Sequence, residues 1–400
     1  MRVSARLPPT GVALAAGGRA GRLATAFGRH ASFFAALVAP VQRQSRSRWL
    51  SAAAHPEVAS PEFPELSSTS SVGAPVDVGG KAVAIMLRNG QAVEKLSKDE
   101  LLSRYHGAYT TARTVDRTGI FELEMHCQRL YDTGVAVFSR PPEGGEVAPA
   151  APDASAMLRA IGVEGVRALV KREMRAALQR LGAAEGPAPP RDGNGDFQVT
   201  LLLTKDTVGE HTPADRGFDV FVYAQPLPYV QPMVDVLALR AERPHPTIKD
   251  VQWVHDRQAL EAETRRAGVN EAVMFDADGH ISEGLQTNFF AITADGALAT
   301  APDELVLSGT VRKVVLEVAA QMSIPVLLQT PSVHDAASWD SCFICSTSRL
   351  VRPIRHFSVP AFGLTLEFPE EGTVAHRVQQ AVLDELRKHA ESLDVEASDV

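Results

Sequence analysis

Strand-like and helix-like stretches follow one another irregularly along this chain, and this irregular order limits its fold more than any other feature. β-branched runs such as "GAYTTARTV" and "FQVTLLLT" stand between runs with helical spacing such as "IFELEMHCQRLYDTGVAV". A doubly wound parallel sheet requires a strict alternation of strand and helix. We therefore expect an α+β or α/β fold of two domains and not a doubly wound sheet.

A proline-marked connector, "PLPYVQP" at 226–232, divides the ordered part of the chain. Proline-rich segments are semi-rigid and often lie between domains. We place an N-terminal α/β domain at 81–226, which opens with a hairpin around an Asn-Gly turn. The second domain, at 232–392, is expected to contain a meander of strands with Asp-Gly turns, followed by helices.

The first fifty residues have a different composition. They contain eight arginines among Ala, Ser and Leu, and no acidic residue precedes Glu57. This pattern is typical of an organelle transit peptide, although a disordered basic tail would share it. We interpret residues 1–54 as a transit peptide that directs the protein to mitochondria, with plastids as the alternative, and residues 55–80 as a linker.

Composition argues against several classes of partner. The formal net charge of -8 and the pI near 5.9 give no global basic field, so we expect no nucleic-acid partner. No run of 18 or more apolar residues is present, so we expect no membrane span. Cys342 and Cys345 lie three apart in a strand-like run and should face opposite sides. We therefore expect neither a redox pair nor a metal site there.

Two charged residues stand in surroundings that suggest chemistry. Lys249 follows two prolines in "RPHPTIKDVQW", at a strand-to-helix junction. It is either an exposed surface charge or a Schiff-base lysine, whose amine must be desolvated to act near neutral pH. Glu283 lies in "SEGLQTNFF", where a carboxylate needs a cation or a donor unless it is exposed at a turn. A protonated pyridine nitrogen would be such a partner.

Two helical segments could contribute to an anion site. "SGTVRK" begins a helix at Gly309, Thr310 and Val311, where free N–H groups and the helix dipole favour an anion. "EMHCQRL" sets His126 and Arg129 on one helix face. Because every helix has an N-terminus and a polar face, neither segment is specific when taken alone.

The order of these motifs resembles the class-IV aminotransferases, the pyridoxal-phosphate (PLP) enzymes of fold type IV, from about residue 82 to 390. The family includes branched-chain and D-amino-acid aminotransferases and aminodeoxychorismate lyases. The resemblance is carried by "GAYTTARTV", "HCQRL", the lysine segment, "DADGHISEGLQTNFF", "SGTVRK" and "CFICSTSRLVRPI". It implies a smaller N-terminal and a larger C-terminal domain with PLP between them, and a homodimer.

The resemblance also implies a role for each matching residue. Lys249 would form the Schiff base and move the proton at the substrate α-carbon, and Glu283 would keep the pyridine nitrogen protonated. Asn288 would support the turn at Glu283. The residues implied to grip the phosphate are Arg129, the N–H groups of Thr310 and Val311, and Thr347.

The chain departs from the family on the substrate side. Trp253 stands four residues after the lysine, where branched-chain enzymes often carry Tyr, and Trp can donate only through its indole N–H. The family's substrate-carboxylate arginine is missing from "FQVTLLLT". Arg113 and Arg349 are the candidates to replace it, and Tyr109 is a further substrate-side candidate.

We predict an amino-acid aminotransferase that moves an amino group between an amino acid and a 2-oxo acid. Two alternatives stay open. "YTTARTVD" and "HCQRL" are closer to the lyase branch, which would release pyruvate and 4-aminobenzoate from 4-amino-4-deoxychorismate. The second alternative is a non-catalytic relative that keeps the fold. It is motivated by the missing substrate-carboxylate arginine.

Overall fold

The lysine and the carboxylate selected from the sequence lie where two β-sheets meet. The structure, a computed structural model, describes residues 83–140, 153–185, 195–209, 211–213 and 215–393. The expected transit peptide (1–54) and linker (55–80) lie outside the described residues. Within the described ranges, no helix combines the length and the apolar character needed to cross a bilayer.

Sixteen strands and seven α-helices form the described part of the chain. The strands are β1 (Ile85–Arg88), β2 (Gln91–Ala92), β3 (Ala108–Val115), β4 (Gly119–Phe121), β5 (Phe197–Thr204), β6 (Asp219–Pro226), β7 (Val234–Arg240), β8 (Glu271–Phe275), β9 (Ile281–Gly284), β10 (Asn288–Ile292), β11 (Leu298–Thr300), β12 (Val326–Leu328), β13 (Ser341–Ser346), β14 (Leu350–Val359), β15 (Leu364–Glu367) and β16 (Ala390–Ser392). The helices are α1 (Lys98–Arg104), α2 (Leu123–Phe138), α3 (Ala154–Glu185), α4 (Gln252–Asp256), α5 (Gln258–Arg266), α6 (Thr310–Gln321) and α7 (Val374–Glu385).

The first sheet has seven antiparallel strands in the order β16-β4-β3-β5-β6-β1-β2. Helices α2 and α3 pack on one face through a core that includes Leu130, Met174 and Leu201. On the other face, Tyr109 packs with residues of α1 and α4. Because strand side chains alternate between faces, Tyr109 and Thr111 share this second face.

The second sheet has nine strands, with β10, β13, β14, β7, β8 and β9 adjacent in that order. β9 also pairs with β10 through Glu283 and Asn288, which closes these six strands into a ring. Apolar side chains such as Val236, Phe289 and Phe357 form one cluster, and α6 and α7 pack on the outer face of β10 and β13. The closure places Glu283 on a rigid strand and not on a free loop.

The two cysteines of "CFIC" face opposite sides of β13, as the strand pattern predicts. Cys342 belongs to the cluster with Phe289, whereas Cys345 belongs to the cluster of α6 and α7. Both are free and buried, and burial raises the pKa of each thiol. These thiols are therefore packing residues.

The lysine loop, residues 241–251 between β7 and α4, is bound to the first sheet. The N–H of Tyr109 donates to the Lys249 carbonyl at 3.2 Å, and the N–H of Val251 donates to the Gly107 carbonyl at 3.0 Å. The N–H of Lys249 also donates to Thr133 Oγ1 at 3.3 Å. The backbone of Lys249 is thus fixed by β3 and α2.

Three elements differ from the sequence-based expectation. The helical spacing of "MLRAIGVEGVRALVKREMRAALQRL" predicts one continuous helix, but α3 is interrupted at Gly162, which has φ 65. The spacing of "VHDRQALEAETRRAG" also predicts one helix, which is broken at Arg257 into α4 and α5. The spacing of "HRVQQAVLDELRKHA" predicts a helix that ends at Ala390, but α7 ends at Glu385 and Ala390 begins β16, which pairs with β4 of the first sheet although we assign 232–392 to the second domain. Pairing with β16 satisfies the backbone hydrogen-bonding groups at the edge of β4. Local residue propensity does not predict such a distant pairing.

The close approach at Gly107 gives a test of this anchoring. A Cβ at Gly107 would lie 1.9 Å from the Leu203 carbonyl oxygen. We expect Gly107→Ala to lower the free energy of unfolding by about 2 kcal/mol, as overpacking does, measured by urea denaturation.

The matched control is Gly182→Ala in α3, where nothing lies within 4 Å of the added Cβ. It should be neutral or raise the free energy of unfolding by up to about 1 kcal/mol, because Ala favours helix over Gly. Equal unfolding midpoints for the two variants would contradict the proposed clash at Gly107.

Candidate active site

A cavity of about 710 Å³ opens where β3, the lysine loop, the β9–β10 closure and the start of α6 meet. Its walls contain most of the residues selected from the sequence. Those that line it are Tyr109, Arg129, Lys249, Trp253, Glu283, Asn288, Thr310, Thr347 and Arg349. The fold therefore collects side chains from the first half and the second half of the chain around one space.

Lys249 has the properties required of a nucleophilic amine. Its Nζ lies 4.9 Å from the centre of the Tyr109 ring. Burial lowers the pKa of Lys249, and the charges of Arg129, Arg243 and Arg257 lower it further, to about 8, although Tyr109 opposes the change. About one amine in ten is therefore neutral at pH 7, far more than for an exposed lysine.

Tyr109 is the immediate neighbour of that amine. Burial alone would raise the pKa of the phenol, but the charges of Lys249, Arg257 and Arg243 together lower it to about 8. Arg257 was not selected from the sequence; it also lines the cavity, and its Nε donates to Glu261 at 2.8 Å. Two adjacent groups in this cavity therefore have pKa values lowered to about 8.

Glu283 is a buried carboxylate with a cationic partner. It is 2% exposed, and it accepts hydrogen bonds from Arg243 Nη1 at 3.0 Å and from the Leu307 N–H at 3.1 Å. Burial raises the pKa of this carboxyl group, while Arg243 opposes the increase. The guanidinium of Arg243 also lies over the Trp253 ring, 5.2 Å from its centre. Arg243 thus helps to keep Glu283 ionised.

Arg243 was not among the residues selected from the sequence, although it precedes Lys249 by six residues in the same proline-marked segment. Its partner is 40 residues away in the chain, and only the fold shows their pairing.

Asn288 joins the Glu283 strand to the segment before α6. Its Nδ2 donates to the Leu307 carbonyl at 2.8 Å, and its Cα is the register partner of Glu283. A Cβ at Gly309 would lie 2.0 Å from Asn288 Oδ1. The close packing allows only glycine there and brings the start of α6 against the carboxylate strand.

An anion cup forms at the start of α6 from Arg129, the N–H groups of Thr310 and Val311, and Thr347. Arg129 Nη2 donates to the Ser308 carbonyl at 2.5 Å, and the hydroxyls of Thr310 and Thr347 are 2.8 Å apart. Burial and the charge of Arg243 lower the pKa of Arg129 to about 10, so it remains a cation at neutral pH. A guanidinium beside a helix start suits a phosphate group.

The two arginines proposed to bind the substrate carboxylate occupy different environments in the structure. Arg349 lines the cavity, and its Nη1 lies 2.6 Å from Glu271. Arg113 does not line it: the buried guanidinium pairs with Asp196 at 3.3 Å. The suggestion that Arg113 contacts substrate is therefore not supported, because this internal ion pair occupies it away from the cavity.

Trp253 forms part of the cavity wall without offering a free donor from its indole. Its Nε1 donates to the Leu285 carbonyl at 3.0 Å, and the side chain is 5% exposed. Gln198, which the sequence reasoning missed, lines the cavity from β5, the strand that lacks the expected arginine. The first sheet therefore presents neutral polar groups at this position.

These features together define a site of the PLP type. The cofactor needs an amine for its aldehyde, a carboxylate for its ring nitrogen and a cup for its phosphate. Lys249, Glu283 and three members of the anion cup, Arg129, Thr310 and Thr347, have these chemistries and line one cavity. The side chain of Val311 is buried in the core on the other side of α6 and does not line the cavity. A Cβ at Gly284 would lie 2.2 Å from Thr287 Oγ1, so the wall beside Glu283 is as closely packed as that at Gly309. The residues present fit PLP.

Residues 107–357 match the family described as Amino-transferase class IV. The chain belongs to this family, whose cofactor is PLP. The matched range contains Lys249, Glu283 and the whole anion cup.

Curated relatives include two kinds of aminotransferase. The branched-chain-amino-acid aminotransferase of Salmonella typhimurium is 31% identical over 121 residues, which cover 30% of this chain and 38% of the relative. The chain thus spans less than half of that relative's length. The D-alanine aminotransferase of Staphylococcus epidermidis is 26% identical over 213 residues, covering 48% of this chain and 74% of the relative.

Solved structures show the fold. The Escherichia coli branched-chain amino acid aminotransferase superposes with a TM-score of 0.54 at 21% identity, over 78% of this chain and 96% of that chain. A hypothetical aminotransferase from Mycobacterium tuberculosis, in a PLP-bound form, gives a TM-score of 0.55 at 16% identity, over 76% and 99%. The architecture is therefore the two-domain α+β fold type IV.

The environment of Lys249 predicts an unusual titration. Acetylation by acetic anhydride requires the neutral amine, so in the protein without PLP the modification rate of Lys249 should be half-maximal near pH 8 and not near the ordinary 10.5. Peptide mass spectrometry across a pH series measures this rate, with free Nα-acetyl-lysine as the reference. A midpoint at the reference value would show that the cavity does not desolvate the amine.

Proposed function

We propose that this protein is a PLP-dependent amino-acid aminotransferase that transfers an amino group between an amino acid and a 2-oxo acid. The observation that carries the proposal is the single cavity in which a lysine with a pKa of about 8 shares the walls with a buried carboxylate and an anion cup. Membership of the class-IV family and the two kinds of aminotransferase relatives support it.

The cavity residues divide the work of holding the cofactor. Arg129 and the start of α6 would hold the phosphate, and Glu283 would keep the ring nitrogen protonated while Arg243 stabilises the negative charge of Glu283. PLP, when bound, supplies the electron sink that makes the substrate α-proton acidic. Because Glu283 and Asn288 lie on paired strands, the ring-binding group is held at a fixed position.

Lys249 is the group that would remove the proton from the α-carbon of the amino acid and, in the reverse half-reaction, deliver a proton to the α-carbon formed from the 2-oxo acid. Its lowered pKa leaves the amine free to accept that proton near neutral pH. The phenol of Tyr109 lies against the amine and modulates its charge.

The substrate α-carboxylate needs a cation that the cofactor does not use. Arg349 meets this requirement, since it lies in the cavity two residues after Thr347 of the anion cup. Its partner Glu271 is 3% exposed and orients the guanidinium. Trp253 bounds the space for the substrate side chain.

Two further proposals come from the sequence. The arginine-rich, acid-free composition before Glu57 supports import into mitochondria, with plastids as the alternative; microscopy of a fluorescent fusion distinguishes the two. The family resemblance supports a homodimer, which light scattering of the purified protein would test.

Replacement of Lys249 is the direct test of the activity. We expect Lys249→Ala, purified with PLP, to lose the visible absorbance of lysine-bound cofactor and at least about 10³-fold in rate, as enzymes lose when a catalytic nucleophile is removed. Transfer of amino groups from a panel of L- and D-amino acids to 2-oxoglutarate is the assay. The matched control is Lys205→Ala, outside the cavity.

The same assay separates the alternatives. Pyruvate and 4-aminobenzoate from 4-amino-4-deoxychorismate, with no amino transfer from any amino acid, would replace the aminotransferase by the lyase. An unchanged absorbance in Lys249→Ala would refute the assignment of the lysine. Wild-type protein that binds PLP and transforms nothing would favour a non-catalytic relative.

Arg349 and Arg113 give a second comparison. Arg349→Gln should raise KM for the amino acid by about 10- to 100-fold, the loss of one charge-assisted bidentate contact, with PLP affinity retained. Both variants leave a buried carboxylate unpaired, Glu271 or Asp196, and should lower the unfolding temperature, but Arg113→Gln should keep KM. Steady-state kinetics and thermal unfolding of both variants measure this; the opposite pattern would assign the carboxylate to Arg113.

A further inference from the structure

A buried carboxylate connects the two helices that form the anion cup. Glu122 is 7% exposed and immediately precedes α2, the helix of Arg129. Lys313 lies in the first turn of α6, and its Nζ donates to both Glu122 oxygens, at 2.8 and 2.9 Å. The Glu122–Lys313 ion pair therefore joins the beginnings of α2 and α6.

A third element enters the same network. Nδ1 of His389 lies 2.6 Å from Glu122 Oε1, and the Glu122 N–H donates to the His389 carbonyl at 2.8 Å. His389 directly precedes β16, which pairs with β4. On the other side of its ring, Nε2 is 3.5 Å from Glu317 of α6. Glu122 thus holds α2, α6 and the C-terminal strand together.

The backbone of Glu122 is held in an unusual conformation. Its φ of 50 and ψ of 45 lie in the left-handed region, which is unfavourable for a residue with a Cβ. Such conformations persist where the surroundings determine them. The paired carboxylate and the hydrogen bond to the His389 carbonyl provide those surroundings.

The ion pair also determines which groups of α6 face an anion. Lys313 is bound to Glu122, and Arg312 is bound to Asp303 and to the Ala301 carbonyl. The first turn of α6 therefore contributes backbone N–H groups to the cup, and Arg129 contributes the cation. Phosphate affinity then depends on how accurately Arg129 and the start of α6 are placed relative to each other.

We propose that Glu122 is a positioning residue that holds the start of α6 against Arg129 and thereby sets the affinity for the phosphate group of the cofactor. This inference rests on the proposed function. Misplacement of binding groups by about 1 Å is costly even when its origin lies outside the site. Because Glu122 does not line the cavity, its effect is transmitted through Lys313 and α2.

The experiment compares PLP with pyridoxal, which lacks the phosphate. Glu122→Gln removes the charge, and Glu122→Gly removes the whole side chain while it accommodates the left-handed backbone. Dissociation constants are measured by equilibrium dialysis on folded full-length protein. We expect both variants to bind PLP about tenfold more weakly or worse, and pyridoxal with unchanged affinity.

Asp116→Asn is the matched control. Asp116 pairs with Arg387 at 2.7 Å, so it also contacts the segment before β16, but that pair does not include α6. It should leave the affinity for both compounds unchanged. Lys313→Met removes the other partner of the Glu122–Lys313 ion pair. It should weaken PLP binding as the Glu122 variants do and leave the affinity for pyridoxal unchanged.

Three outcomes would overturn the inference while leaving the proposed function intact. These are unchanged PLP affinity in the Glu122 variants, an equal loss for PLP and pyridoxal, and tighter PLP binding because the released Lys313 acts as an extra cation. Failure of the wild-type protein to bind PLP would overturn the proposed function itself.

Discussion

The binding of the lysine loop to the first sheet is the constraint on which the rest of the site depends. Two backbone hydrogen bonds join residues Gly107 and Tyr109 of one half to Val251 and Lys249 of the other. Backbone bonds of this kind fix position without depending on a side-chain rotamer. The amine of Lys249, proposed to be catalytic, is therefore placed by the junction of the two sheets, and its desolvation follows from that placement.

Much of the fold, and most of the residues that line the shared cavity, could be predicted from the sequence. Local patterns identify β3, α2 and α6, because strand alternation, helical spacing and a helix start are encoded by neighbouring residues. Lys249 and Glu283 were selected mainly because several motifs, each weak when taken alone, occur in the order typical of the class-IV family. The opposite orientation of Cys342 and Cys345 followed from the strand period alone.

The features that could not be predicted arise from distant contacts. Arg243 and Glu283 are 40 residues apart, and Glu122 meets Lys313 across 191 residues. The pairing of β16 with β4 likewise depends on a free sheet edge. The choice of Arg113 as a substrate-binding candidate has the same cause. Arg113 lies on β3, the strand next to the site, and its ion pair with Asp196 joins residues that are distant in the chain.

The indole of Trp253 is hydrogen-bonded to the Leu285 carbonyl within the second half of the chain, whereas Gln198 and Thr111 reach the cavity from the first sheet. Residues of both halves therefore serve both sides of the proposed site: Arg129, proposed for the phosphate, lies in the first half, and Arg349, proposed for the substrate carboxylate, lies in the second. Tyr109 of β3 also contacts Lys249, so a substitution at that position would change the environment of the amine together with the wall of the cavity. Evolution of substrate choice through β3 is therefore coupled to the chemistry of the lysine.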